Sequence, residues 1–120
     1  MAEKLSLYFY NVTPPANLVG EPQILDEWYD PAADQLMDDL RALFRTDLQI
    51  ERGYLLRLVS PWPEVGLFIA SATPADPEVI NRATWIWLSH RGKAPLLVSA
   101  APADFERRLR ERASPFYAAA

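Results

Sequence analysis

The chain has 120 residues, of which 50% are apolar and 23% charged, with a formal net charge of −4 at pH 7. This profile predicts one soluble globular domain over residues 1–117, followed by a frayed tail at 118–120, and a cytoplasmic location. The sequence has no cysteine, which excludes disulfides and thiolate chemistry, while the acidic charge and short apolar runs disfavour nucleic acid and membranes as partners.

The sequence of the first part of the chain predicts a strand, a long irregular connection and a helix. Aliphatic and aromatic residues alternate over 4–12, which is typical of a strand. Residues 16–29 lack a clear period, so we expect an irregular connection there. Asp30 followed by Pro31 is typical of a helix N-terminus, and a one-sided apolar stripe predicts a helix over 31–45.

The rest of the chain predicts five further elements. In chain order these are a strand, a strand, a helix, a strand and a helix, over 50–59, 65–71, 77–91, 95–99 and 102–113. The prolines of the 60–63 turn favour a hairpin between the first two strands. Asp76 before Pro77 starts the helix that Gly92 ends.

The element order defines the expected fold. A β-α-β-β-α-β order is that of a ferredoxin-like plait, an α+β fold with an antiparallel sheet and helices on one face, here with an extra C-terminal helix. We expect Leu5, Leu7 and Phe9 to face the helices, and Tyr8 and Tyr10 to lie on the open face. Other two-layer α+β folds fit the same order.

The charges are divided between the two ends of the chain. Residues 5–40 contain seven acids and no Lys or Arg, whereas residues 82–112 contain seven Lys or Arg and three acids. Separate acidic and basic parts suggest a binding partner more readily than a reaction. The basic residues of the last helix point in several directions, which is typical of a solvated helix.

The acidic segment 26–30 combines three acids with two large aromatic residues in the irregular connection. Aromatic rings supply contact area and carboxylates steer association, so we expect a protein partner with a basic surface. In the alternative interpretation, Trp28 and Tyr29 fold back on the core. The predicted partner-binding residues are Asp26, Glu27, Trp28, Tyr29, Asp30 and, in the proline-rich turn, Trp62.

A second candidate surface would join copies of the chain. Trp85 lies opposite the apolar stripe of its predicted helix, and exposed aromatic residues are typical of interfaces. In the alternative, the C-terminal helix covers Trp85. The residues of the possible oligomer interface are Trp85, Leu88, Tyr8 and Tyr10.

Residues that could carry chemistry are few. His90 is the only histidine, and its phase places it on the apolar face of its helix. Asp34 and Asp38 lie one helical turn apart, but no calcium-loop spacing surrounds them. We therefore predict no catalytic residue, no metal and no cofactor.

These patterns favour a small non-enzymatic protein that binds another macromolecule, as an inhibitor, an immunity or anti-defence protein, or an adaptor. One alternative is a self-associating structural subunit of a phage or secretion assembly. Another is a small-ligand-binding domain or an enzyme of unknown reaction.

Overall fold

A computed structural model describes residues 7–14, 20–73 and 76–119. Its strands are β1 (Leu7–Tyr10), β2 (Ile24–Glu27), β3 (Ile50–Leu58), β4 (Val65–Ser71), β5 (Leu96–Ala100) and β6 (Tyr117–Ala118). Its helices are α1 (Asp34–Arg45), α2 (Pro77–Arg91) and α3 (Ala103–Arg110), with a 3-10 turn at Pro31–Ala33. None of the helices in these ranges has the length and apolar character needed to cross a membrane.

The strands form one mixed sheet in the order β1-β5-β4-β3-β2, and β6 also pairs with β3. β4 and β5 run parallel, while every other pair is antiparallel. Because α2 carries the chain from the end of β4 back to the start of β5, these two strands point the same way. The chain is thus α+β, but the expectation of a wholly antiparallel plait is wrong, and a ferredoxin-like fold is not confirmed.

The local start and stop signals of the helices are confirmed. Asp30 caps the first helical turn by accepting a hydrogen bond from the Ala32 backbone. Asp76 does the same for the Glu78 backbone at the start of α2. Gly92 ends α2 with a φ of 61°, a conformation that favours glycine.

Two short strands lie where the sequence predicts no regular structure. β2 falls within the expected irregular connection, and β6 overlaps the expected frayed tail. Ala118 pairs with β3, and the Ala119 N–H donates to the Glu51 carbonyl at 2.8 Å, so the frayed tail is wrong for these two residues. Both strands depend on backbone pairing with a distant segment, which side-chain periodicity does not record. Residues 4–6 of the first predicted strand, and residue 120, lie outside the described residues.

One face of the sheet is covered by α1 and α2. The apolar stripe of α1 packs there with β-strand residues such as Leu55 and Leu67, and α2 contributes Ala83 and Trp87. This arrangement confirms the predicted buried face of α1 and places the larger hydrophobic cluster between these helices and the sheet.

The other face of the sheet is covered by α3. Phe105 packs on Phe68 with 5.4 Å between ring centroids, and Leu7 and Phe9 pack against the same cluster. Tyr10 packs on the α1–α2 side instead. The expectation of helices on one face only is therefore wrong, and the helix that Leu7 and Phe9 face is α3. The apolar stripe of α3 needs a surface to bury against, and this face of the sheet supplies it.

A buried carboxylate fixes α3 to the sheet. Glu106 of α3 is buried and accepts hydrogen bonds from Arg52, at 2.9 Å to its Oε1, and from the Tyr54 hydroxyl, at 2.6 Å to its Oε2. The Arg52 guanidinium holds the pKa of Glu106 below its usual range, mainly through hydrogen bonding. Burial, together with the Glu106 carboxylate, raises the pKa of Tyr54 to about 12. Glu106 therefore stays ionised and keeps both donors in place.

We predict that Glu106→Gln destabilises the fold by about 2 kcal/mol, because Arg52 loses its buried counter-ion but keeps the exposed carboxylate of Glu51 and can still reach water. Since the folded pKa of Glu106 lies below its ordinary value of 4.5, its contribution is full above that value and is lost as pH falls through the folded pKa. Urea unfolding at neutral and acidic pH measures both effects.

The matched control for this prediction is Glu111→Gln, because Glu111 follows α3 and is exposed. It should change stability little and keep the wild-type loss of stability in acid. Equal unfolding free energies for wild type and Glu106→Gln at neutral pH would contradict the anchoring role of Glu106.

Candidate functional site

The structure places an open groove between α1 and the segment that leads into β6. Its volume is about 480 Å³. We call it the α1 groove, and its lining residues are Glu27, Trp28, Tyr29, Asp34, Met37, Asp38, Arg41, Leu55, Ser114, Pro115 and Phe116. It lies where the outer edge of β3 passes from pairing with β2 to pairing with β6.

Two contacts hold the walls of the α1 groove together. The Ser114 backbone N–H donates to Glu27 Oε1 at 2.5 Å, which links the C-terminal segment to β2. Arg41 Nε donates to the Phe116 carbonyl at 2.8 Å, which links the same segment to α1. The Arg41 guanidinium carbon also lies 5.8 Å from the centre of the Phe116 ring. The groove is thus built from three parts of the chain that the fold brings together.

The α1 groove is acidic, with three carboxylates against one guanidinium among its lining residues. Arg41 donates to Asp38 Oδ1 at 2.8 Å and partly neutralises it. Asp34 makes no ion pair with any residue that the structure describes. The Tyr29 side chain lines the groove and is 68% exposed. A cation with an apolar stem fits these surroundings.

Two of the predicted partner-binding acids form ion pairs within the fold. Arg57 Nε donates to Asp26 Oδ1 at 2.6 Å, and this hydrogen bonding lowers the pKa of Asp26. Asp30 accepts hydrogen bonds from the Ala32 backbone N–H and from Arg91, each at 2.9 Å. Both hydrogen bonds lower the pKa of Asp30, and the bond from Ala32 has the larger effect. Their role in binding a partner stays a prediction, but their charges already have counter-ions.

The two predicted tryptophan contacts are buried. Trp28 is 7% exposed and packs on Trp87, with 5.6 Å between ring centroids, while Arg91 lies 5.3 Å from its ring centre. Trp62 packs in the cluster beneath α3. The alternative in which the aromatic pair folds back on the core therefore describes Trp28, whereas Tyr29 remains at the surface.

The four residues of the possible oligomer interface lie on two elements, α2 and β1. Trp85 is 66% exposed on α2, and α3 cannot cover it because α3 packs on the opposite face of the sheet. Leu88 is half-buried. Tyr8 is 45% exposed on β1, while Tyr10 is half-buried and donates to the Gly92 carbonyl at 2.9 Å. Their role in an oligomer stays a prediction.

The only histidine joins the two helices of one layer. His90 Nε2 on α2 lies 2.7 Å from Asp39 Oδ2 on α1, and this contact lowers the pKa of Asp39. Within residues 7–14, 20–73 and 76–119, no group of three His, Cys, Asp or Glu side chains is placed to hold a metal ion.

Sequence reasoning missed one whole wall of the α1 groove. The helix predicted over 102–113 stops just before Ser114 and Pro115, and the aromatic pair Phe116 and Tyr117 directly follows them. An aromatic pair after a helix stop is a signal that the chain returns to the core. It does not say that the segment would lie opposite Glu27.

Comparisons of this chain with protein families, with curated proteins and with solved structures found no match.

We predict opposite outcomes for two neighbouring aromatic substitutions. Trp28→Ala should destabilise the fold by about 3–5 kcal/mol, because it empties a large buried site beside Trp87. Tyr29→Ala should change stability by less than about 0.5 kcal/mol, because its side chain is largely in water. Urea unfolding followed by circular dichroism measures both, and similar losses for the two variants would contradict the assigned packing.

Proposed function

We propose that the protein binds a protein partner non-covalently and receives a basic side chain of that partner in the α1 groove. The observation that carries the proposal is the exposed ring of Tyr29 beside the carboxylates of Asp34 and Asp38, which line one cleft. The classes that we propose for a protein with this activity are inhibitors, immunity or anti-defence proteins, and adaptors.

The α1 groove has room for a side chain of the partner. A volume of about 480 Å³ is at the lower end for ligand sites and is open to solvent along one side. The stem of a Lys or Arg side chain can pack on Tyr29 and Met37 while its cation reaches the carboxylates. Arg41 offers a precedent within the fold, because its guanidinium lies over the Phe116 ring and donates to Asp38.

The charge of the α1 groove should affect the rate at which a partner associates. Rim carboxylates act mainly on the rate of association, because they attract a basic surface before contact. This attraction is screened by salt, with a Debye length of about 10 Å at 0.1 M ionic strength. A partner held by the α1 groove should therefore associate more slowly as the salt concentration rises.

The experiment compares two doubly substituted baits with wild type in affinity capture from cell extracts, followed by mass spectrometry. The groove variant is Tyr29→Ala with Asp34→Lys. The control is Leu48→Ala with Glu111→Lys, which makes the same change in charge at exposed residues that do not line the groove. We expect a protein retained by wild type and control but lost from the groove variant.

Surface plasmon resonance with the captured protein gives the decisive measurement. We expect the groove variant to lower the association rate at least about fivefold at low salt, with the difference shrinking at high salt. Equal association rates for the groove variant and the control, or rates that do not depend on salt, would overturn the proposal.

A further inference from the structure

β1 is an edge strand with a regular outer side. All four residues from Leu7 to Tyr10 pair with β5 in consecutive register, without a shift. Among the strands that the structure describes, β5 is the only partner of β1. The outward backbone groups of β1 thus form a row that another extended segment can pair with.

The two edges of the sheet differ in how open they are to pairing. β2, at the other edge, carries a register shift between Ile24 and Asp26 and has two carboxylates in four residues. Shifts and charges of this kind discourage edge pairing. β1 pairs with β5 without a register shift, and its sequence, Leu-Tyr-Phe-Tyr, carries no charge. If β1 paired with β2 of another copy, it would meet this protected edge. If β1 paired with β1 of another copy, neither strand would carry a register shift or a charge.

We propose that β1 is an interface with a second copy of this chain, in which the two β1 strands pair antiparallel about a twofold axis and extend the sheet across both copies. Such a contact uses the same surface twice and closes on itself. β1 carries no charge, so the net charge of −4 on each copy is not concentrated at this contact. The proposal involves no residue of the α1 groove.

The geometry of the strands restricts the register. Residues opposite each other in an antiparallel pair project to the same face of the sheet, so the axis must pass through a residue position. An axis at Phe9 sets Phe9 against its own copy and Tyr8 against Tyr10 of the other copy. All three cross-strand pairs are then aromatic, a combination that favours strand pairing. The 45% exposed Tyr8 ring loses much of its contact with water.

The contact is small, so a weak dimer is expected. The surface that four paired residues bury is smaller than the roughly 1,200 Å² buried in typical stable complexes. We therefore expect a dissociation constant in the micromolar range or above. Because β1 carries no charge, dimerisation should change little with salt. Association of a partner with the α1 groove should depend on salt, whereas dimerisation through β1 should not. The two proposals can therefore be tested separately, and the failure of one does not decide the other.

The test is sedimentation equilibrium of the full chain at total concentrations from about 5 to about 500 µM. We expect reversible dimerisation for wild type. Tyr8→Lys should weaken it at least about tenfold, since a lysine at an edge strand must lose water to pair. The matched control, Tyr29→Lys, places the same substitution at another exposed tyrosine and should dimerise as wild type does.

A single introduced cysteine per chain is a clean probe of register, because the chain has none of its own. Mixing Tyr8→Cys with Tyr10→Cys under mild oxidation should give mainly the disulfide between the two different variants. A wild type that stays monomeric at about 500 µM, or a Tyr8→Lys dimer as strong as the control, would overturn the interface. Predominant linkage of Tyr8→Cys to itself would overturn the register.

Discussion

Most of the structure depends on the pairing of β3 along both of its edges. β4 follows one edge, whereas β2 and β6 share the other, although they lie about 90 residues apart in the chain. Carbonyls of alternate residues, Glu51, Gly53 and Leu55, accept hydrogen bonds from Ala119, Phe116 and Trp28 at 2.8 to 3.0 Å. β2 ends opposite Leu56 and β6 begins opposite Gly53, and Leu55, which lies between these two positions, lines the α1 groove.

The sequence predicts the elements whose signals are local and misses those whose partners are distant. The capped helices α1 and α2 and the β3–β4 hairpin follow from Asp-Pro starts, a glycine stop and periodicity within single segments. β2 and β6 have only four and two residues, and backbone pairing with β3 forms them. The position of α3 on the opposite face is likewise a matter of packing. No feature within the α3 sequence says which face its stripe will cover.

The candidate site shows the same limit through its charges. The sequence separates an acidic part from a basic part, yet the fold joins them by pairing Asp30 with Arg91 and Glu21 with Arg108. Asp26 pairs with Arg57, which belongs to neither part. Much of the apparent charge division is thereby neutralised within one molecule. Helix phase and distance from arginine decide which acids keep an unpaired charge. Asp26 and Asp30 are paired, whereas Asp34, which lines the α1 groove with Tyr29, forms no ion pair with the described residues.

The two proposed surfaces lie at opposite edges of the sheet and can be occupied together. Four strand spacings separate β1 from β2, which amounts to about 19 Å across the sheet. Pairing through β1 would leave both α1 grooves of a dimer open, and the twofold axis would place them at its two outer ends. A partner with two basic sites could then bind both grooves, and the second contact would gain from the high effective concentration set by the first. A weak neutral edge and a charged groove would thus act together, because self-association doubles the number of grooves presented to one partner.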